Sequence, residues 1–344
     1  MKILITGGAG FIGSHAAEFY ASKGNDVIVF DNLSRAKLLK KSIKNVDYNW
    51  NYLKKFKRIR LIKGDIRNIK EIQKSARGAD VLVHAAAQTA VTASVIDPLA
   101  DFEANALGTF NVLEAARKND VKSVLYCSTN KVYGENVNKA KVIEEKLRYA
   151  FEKKYLNGIS EDFSIDLCEH TPYGCSKLTG DLYMQDYGKL YGLKTGVFRM
   201  SCVYGTRQLG IEDQGWVAWF AIATMLGKNI NIYGDGKQVR DVLFVSDLVD
   251  VFDKFIKSNL KSGVFNIGGG HENTLSLLEL LDLLNKLANK KSKIHFLGWR
   301  PSDQKVYISD ISKAKKELGW QPKVSPEEGI QKLAGWINQN KALF

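Results

Sequence analysis

The 344-residue chain predicts an α/β fold, a doubly wound parallel sheet with a smaller domain in its C-terminal half. Three observations carry that prediction. Short β-branched or apolar runs alternate with helical patterns, a glycine-rich turn follows the first run, and from about residue 203 the alternation gives way to short segments punctuated by glycine.

The runs are Ile3-Leu4-Ile5, Val27-Ile28-Val29-Phe30, Ile59-Arg60-Leu61-Ile62, Val81-Leu82-Val83, Ser123-Val124-Leu125-Tyr126, Gly196-Val197-Phe198 and Val264-Phe265-Asn266-Ile267. Such alternation is the mark of βαβ units around a parallel sheet. Between the runs, residues 101–118 place Phe102, Asn105, Phe110, Leu113 and Ala116 at near-helical spacing, and 276–287 carries a leucine-rich face. Gly205, Gly210, Gly215, Gly227, Gly234 and Gly236 break up the stretch after 203. Residues 1–202 and 240–269 are therefore assigned to the sheet domain, and 203–239 with 270–344 to the smaller one. No internal repeat is present, which sets aside solenoids and propellers.

A hydrophobic content of 45 % with five prolines is that of an ordinary globular protein. Apolar runs stop well short of the roughly 20 residues a membrane span needs, and the N-terminus enters a strand pattern directly rather than a signal peptide, so a cytoplasmic location is expected. Cys127, Cys168, Cys175 and Cys202 show no C-x-x-C spacing and the five histidines form no i, i+4 pair, so neither disulfides nor a metal site is expected. Much of the +13 formal charge lies in Lys40, Lys41, Lys44, Lys54, Lys55, Lys57 and Arg58, interleaved with Tyr48, Trp50, Tyr52 and Phe56. A solvated amphipathic helix with its aromatics inward explains that pattern more economically than nucleic-acid binding. A basic surface also suits a phosphorylated small substrate.

Thr6-Gly7-Gly8-Ala9-Gly10-Phe11-Ile12-Gly13 follows the first run and leads into a helical pattern. Gly8, Gly10 and Gly13 satisfy G-x-G-x-x-G: a glycine for the tight turn, one for close approach of backbone to a pyrophosphate, and one for packing of helix on strand. The helix N-terminus then faces the phosphates. Asp31 ends the second run and is placed to accept hydrogen bonds from an adenosine ribose, which points to NAD in a fold of the Rossmann type. Arg35 is the nearby residue that would suit a 2′-phosphate instead. The cofactor site is thus expected to comprise Gly7, Gly10, Phe11, Ile12, Gly13, Asp31, Asn32, Ser34 and Arg35, Asp65 and Ile66 after the third run, Ala85, Ala86 and Ala87 after the fourth, and, further along, Asn105, Tyr173 and Lys177. His84 reads as structural. Asn105, polar amid apolar neighbours, anchors a water or backbone group near the reactive residues or is a satisfied core amide.

Thr171-Pro172-Tyr173 reads as a helix start with Thr171 as N-cap, and Gly192 as its stop. Tyr173 and Lys177 then share one helix face. A phenol titrates near 10, so Tyr173 needs neighbouring cations to serve as a base at neutral pH; Lys177 and an oxidised nicotinamide are two. Ser128-Thr129-Asn130-Lys131 follows the apolar run Val124-Leu125-Tyr126-Cys127, at the carboxyl end of a strand, and Thr129 offers a hydroxyl there.

Together with Gly64-Asp65-Ile66-Arg67, Asn105, Gly108-Thr109, Tyr233-Gly234-Asp235-Gly236, Val239-Arg240-Asp241 and Asn266-Ile267-Gly268, these motifs resemble, over essentially the whole chain, the extended short-chain dehydrogenase/reductases that act on nucleotide sugars. The resemblance implies a catalytic triad of Thr129, Tyr173 and Lys177, NAD as cofactor, and a nucleotide-diphosphate sugar as substrate. Its phosphates would meet Arg240 and Arg300, and Gln88 would contact it as well. It also implies a homodimer, through the helices after the fourth strand and after Tyr173. Dehydratases of this family carry an Asp-Glu pair directly after the threonine; here those positions hold Asn130 and Lys131, which removes the acid and the base of dehydration and leaves hydride removal and return.

Within the family, His170-Thr171-Pro172-Tyr173-Gly174-Cys175-Ser176-Lys177, Asp213-Gln214-Gly215-Trp216-Val217, Gly236-Lys237-Gln238-Val239-Arg240-Asp241, Ser302-Asp303-Gln304 and the long insertion 135–169 look like those of epimerases that invert C2 of a CDP-linked deoxyhexose. That implies oxidation at C2 with Tyr173 as base. The alternatives are a 4-epimerase of UDP-sugars, or a catalytically silent dinucleotide-binding protein.

Overall fold

The computed structural model describes residues 1–38, 45–300 and 303–344. Lys40, Lys41 and Lys44 of the basic stretch, and Ser302 of the Ser302-Asp303-Gln304 motif, lie outside the described residues. The chain forms two compact units: Met1–Val132, His170–Arg199 and Val249–Phe265 make the first, and Tyr133–Glu169, Met200–Leu248 and Asn266–Phe344 the second.

The seven runs read from the sequence are the seven strands of one sheet: β1 (Lys2–Thr6), β2 (Asp26–Asp31), β3 (Ile59–Lys63), β4 (Val81–His84), β5 (Ser123–Thr129), β6 (Lys194–Met200) and β7 (Ser262–Ile267), in the order β7-β6-β5-β4-β1-β2-β3. The chain starts at the centre, winds out to β3, returns, and winds the other way. The strand order therefore reverses between β1 and β4, the position at which open α/β sheets bind their ligands. Parallel registers set Thr6 opposite both Phe30 and His84, and His84 opposite Tyr126. The carboxyl ends of β1, β2, β4 and β5 consequently share one edge.

Burial on both faces explains why the inner strands β1, β2, β4, β5 and β6 are largely hydrophobic runs; the edge strand β3 has no buried residue. Leu4, Leu82, Leu113 and Val124 are fully buried in one cluster under the flanking helices. Each such side chain contributes about 2 kcal/mol by leaving water.

The helical path expected over 101–118 has a different local form. An α-helix over Pro98–Phe102 passes into a π-helical turn, Glu103–Leu107, and then into an α-helix over Gly108–Lys118. The wider turn shifts the buried face: Asn105, Leu113 and Ala116 point inward as expected, but Phe102 and Phe110 are exposed. Among the described residues of the basic, aromatic stretch one helix carries three of the four aromatics. It spans Tyr48–Leu53, buries Asn49 and Leu53, and leaves its aromatics half-buried, with the Tyr52 hydroxyl donating to Glu18 at 2.7 Å.

In the second unit Val239–Phe244 pairs in parallel with Cys202–Tyr204 and Val306–Tyr307, and antiparallel with Thr274–Ser276. That pairing is why residues 240–248, expected with the sheet domain, cluster here; the insertion Tyr133–Glu169 clusters here too. The leucine-rich face is the helix Leu277–Ala288, opened by a Ser276–Glu279 capping box and burying Leu280, Leu281 and Leu284.

Candidate active site

The turn after β1 is built on close approaches that only glycine permits. Gly7 has φ +68°, and a Cβ there would lie 2.5 Å from the Ala86 nitrogen. A Cβ on Gly13 would lie 2.3 Å from the Gly7 carbonyl oxygen. The tight turn is thus made at Gly7 and not, as the spacing suggested, at Gly8, whose Cβ would instead meet the Val29 side chain at 2.7 Å. Gly10 precedes the helix Phe11–Ser22, which has neither a side-chain cap nor an acidic residue in its first turn. Its first N–H groups, from Phe11 to Gly13, have no intrahelical acceptors and carry the positive end of the helix dipole, which suits an anion such as a pyrophosphate. A cradle whose walls a Cβ would fill fits a dinucleotide.

At the end of β2 the Asp31 carboxylate accepts from the Ala9 nitrogen at 3.0 Å and the Leu33 nitrogen at 2.8 Å. Burial raises its pKa and the two N–H donors oppose that. Each oxygen keeps one acceptor site, so the group that braces the glycine turn is still able to receive a ribose hydroxyl. Arg35, whose guanidinium burial lowers to about 10, remains charged at neutral pH. Asn32 donates to Asp65 at 2.9 Å and accepts from the Ser34 nitrogen at 3.0 Å. Burial would raise Asp65, but hydrogen bonds from Arg67 and Asn32 outweigh it and hold the carboxylate at about 2. Ile66 is buried beneath Gly108, and the half-buried Ala85, Ala86 and Ala87 follow β4 against the Gly7 turn.

His84 is structural, as expected. It lies between the hydroxyls of Thr6 at 2.7 Å and Thr109 at 2.9 Å, and full burial drives its pKa down to about 3. Gln88, expected to contact substrate, is held within the protein. Its amide donates to the Ala90 carbonyl and to Asp101, its side-chain oxygen accepts from the Ala90 nitrogen, and the residue is buried. Asn105 is both a satisfied core amide and a backbone anchor: it accepts from the Gln88 nitrogen at 2.9 Å and donates to the Gln88 carbonyl at 3.0 Å.

Sequence reading missed Asp101 and Ser94. Asp101 is fully buried and accepts from Gln88, Asn105 and Ser176, so it ties the π-helical turn to the helix that carries Tyr173 and Lys177. The Ser94 hydroxyl accepts from the Tyr173 nitrogen at 3.1 Å. Neither stood in a motif; the only signal was a polar residue within a helical pattern.

The helix Thr171–Tyr191 starts and stops close to where the sequence placed it, with Gly192 left-handed at its end. Thr171 is its first residue rather than the residue before it, although its hydroxyl accepts from the Gly174 nitrogen at 3.5 Å in the manner of a cap. Its φ of +63° is costly for a β-branched residue, so backbone strain sits two positions from Tyr173.

The helix and the end of β5 bring Thr129, Tyr173 and Lys177 together in the first unit. Burial pushes the Tyr173 phenol up to about 12, with Thr129 nearby acting in the opposite direction. Burial thus favours the neutral phenol. Lys177 is buried, donates to the Cys127 carbonyl at 2.7 Å, lies 4.1 Å from the Tyr126 ring centroid, and is lowered to about 8 by burial. The strand end is fixed from behind: Ser128 donates at 2.7 Å to Asp181, which is paired with Arg199 at 3.0 Å in full burial. Asn130 is buried and accepts from the Thr129 hydroxyl at 3.3 Å, so the position where dehydratases carry an acid holds an amide beside the triad.

In the second unit both expected phosphate-binding arginines are already anchored to carboxylates. Arg240 donates to Asp303 at 2.7 Å; Arg300 donates to Asp213 at 3.1 Å and lies over the Tyr233 ring at 3.9 Å.

Residues 3–268 match the model of the NAD dependent epimerase/dehydratase family. The chain belongs to that family. NAD is accordingly its cofactor, and the doubly wound sheet is the family's fold. Among curated relatives, CDP-paratose 2-epimerase of Salmonella typhi is 42 % identical over 98 % of this chain and 99 % of its own. Among solved structures, UDP-glucuronic acid 4-epimerase from Bacillus cereus, in complex with UDP-glucuronic acid and NAD, superposes with a TM-score of 0.81 at 29 % identity, covering 98 % of this chain and 99 % of that one. A dTDP-glucose 4,6-dehydratase from Streptomyces venezuelae, with NAD bound, reaches a TM-score of 0.83 at 27 % identity, covering 100 % and 99 %. Epimerase and dehydratase are equally good matches in fold, so the reaction has to be read from the residues around Thr129.

Proposed function

We propose that this chain is an epimerase inverting C2 of a CDP-linked deoxyhexose, of the CDP-paratose to CDP-tyvelose type. The observation that carries the reading is the 42 % identity to CDP-paratose 2-epimerase across nearly the full length of both chains. Asn130 and Lys131 support it by withholding the acid and base of dehydration.

The cradle from Gly7 to Gly13 and Asp31 would hold NAD, which supplies a hydride acceptor that can return the hydride. Tyr173 takes the proton of the C2 hydroxyl and later gives it back, acting as base and then as acid at one atom. Thr129, beside that phenol, steadies the reacting oxygen through its hydroxyl. The Lys177 ammonium, held on the Cys127 carbonyl, stabilises developing phenolate charge. Arg240 and Arg300 bind the diphosphate, with Asp303 and Asp213 fixing the direction in which each guanidinium presents its free N–H groups.

We also propose a homodimer. Val95, Ile96, Leu99, Phe102, Phe110 and Tyr183 are exposed on helices of the first unit, an apolar surface larger than isolated residues would give and suited to a second copy. Sedimentation at micromolar concentration tests this; a monomer would contradict it. Among the described residues no helix is long and apolar enough to cross a membrane.

Product analysis by NMR after separate incubation with CDP-paratose and UDP-galactose tests the reaction assigned. Inversion at C2 of the CDP-sugar is expected. Turnover of UDP-galactose at C4 in its place would transfer the assignment to a 4-epimerase.

A further inference from the structure

The insertion 135–169 has no role in the chemistry above, yet it is bonded to both sides of Arg240. A hairpin within it pairs Val142–Glu144 with Tyr149–Phe151. Tyr149, buried, donates its hydroxyl to Asp235 at 2.6 Å and its backbone N–H to the Lys237 carbonyl at 2.8 Å. Asp235 in turn accepts from the Lys237 nitrogen at 2.9 Å, and the Lys237 ammonium returns to Glu144 of the hairpin at 2.6 Å. The turn so held, with Gly234 and Gly236 at positive φ, leads directly into the strand Val239–Phe244 that carries Arg240. Arg148 grips the neighbouring strand: it donates to the Thr274 hydroxyl at 3.1 Å and pairs with Glu279 through two hydrogen bonds, and Thr274 lies opposite Asp241.

On its other side Arg240 is bonded to Asp303, and the insertion reaches there too. Asn138 donates to the Asp303 carbonyl at 3.3 Å, and Gln304 donates to the Gly134 carbonyl at 3.5 Å, at the root of the insertion. The backbone on either side of one guanidinium is thus fixed by a segment that contributes no charge to it.

We propose that the insertion positions Arg240, with Tyr149, clamping the Asp235–Lys237 turn, as the positioning residue on which nucleoside-diphosphate affinity depends. This rests on the reading of Arg240 as a diphosphate ligand. A guanidinium grips an anion in two parallel bonds only when its plane is held, so loosening its base weakens binding without removing the charge.

The test is calorimetric titration of the NAD-loaded protein with CDP and with UDP. Tyr149→Phe removes one hydroxyl and is expected to weaken nucleotide binding roughly tenfold, the order expected for loss of a hydrogen bond to a carboxylate. Arg240→Ala weakens it further, and the double variant is expected to match Arg240→Ala alone, because a clamp has nothing to position once the guanidinium is gone. Lys237→Met, which cuts the link to Glu144 from the other partner, is expected to act in the same direction and guards against a Tyr149→Phe protein that fails to fold. Wild-type affinity in both single clamp variants, or full additivity with Arg240→Ala, would overturn the proposal. No turnover is read, so a failure of the C2 assignment would leave these results intact.

Discussion

Lys177→Met separates the catalytic and the energetic consequences of one buried ammonium. In the folded protein burial lowers Lys177 from its ordinary 10.5 to about 8. Between those values the unfolded chain binds a proton that the folded one does not, so this residue makes stability rise with pH across that window. Below about pH 8 both states are protonated and the full cost of burying the charge is present; above 10.5 both are neutral and it is gone. The gap corresponds to about 3 kcal/mol, with little discount for screening because the side chain is almost wholly buried. Urea denaturation of wild type and Lys177→Met at several pH values from 7 to 10.5 measures it. Other groups that titrate in this range, the buried tyrosines among them, contribute to both proteins and cancel in the difference. Relative to the variant, wild type should gain about 3 kcal/mol across the window. Catalysis in the variant should meanwhile fall by about two orders of magnitude or more, since phenolate charge on Tyr173 loses its counter-charge. Parallel stability profiles would refute the burial argument, and retained turnover would refute the role of Lys177.

Tyr173→Phe should reduce turnover by about two to four orders of magnitude while leaving NAD content and melting temperature near wild type, because it removes a single hydroxyl; near-normal activity in a coupled assay would refute its role as base. Gly13→Ala puts a Cβ 2.3 Å from the Gly7 carbonyl oxygen, and neither backbone segment can yield cheaply, so the purified variant should have lost most of its NAD by absorbance and mass; full occupancy would remove the loop from the cofactor site. NAD should bind the apoprotein more tightly than NADP because a 2′-phosphate would lie beside the Asp31 carboxylate; equal affinities by titration would mean that Arg35 offsets it.

What the sequence disclosed and what it withheld follow from the range of the forces involved. The central strands β1, β2, β4, β5 and β6 were legible because a strand buried along most of its length leaves a largely apolar run, whereas the edge strand β3, with no buried residue, showed itself only by Ile59, Leu61 and Ile62 around Arg60. Gly7 to Gly13 and the Tyr173–Lys177 pair stood out because residue type recurs there at short spacing, whereas Thr129 was singled out by resemblance to the family and its place at a strand end. The exposure of Phe102 and Phe110 was not, because a single π-turn around Asn105 rotates the helix and leaves no mark in its periodicity. Nor were Asp101 and Gln88, whose roles exist only once the π-turn and the Tyr173 helix are side by side. The partition of residues 240–248 depended on strand pairing across the second unit, which no local pattern records.

Hydride taken from C2 of a CDP-linked sugar and returned to C2 leaves a carbon-bound label in place, which NMR of the product formed from CDP-paratose deuterated at C2 reads. The C2 epimer with its deuterium retained is expected; loss of deuterium to solvent, inversion at another carbon, or recovery of unchanged substrate would overturn the C2 oxidation–reduction mechanism.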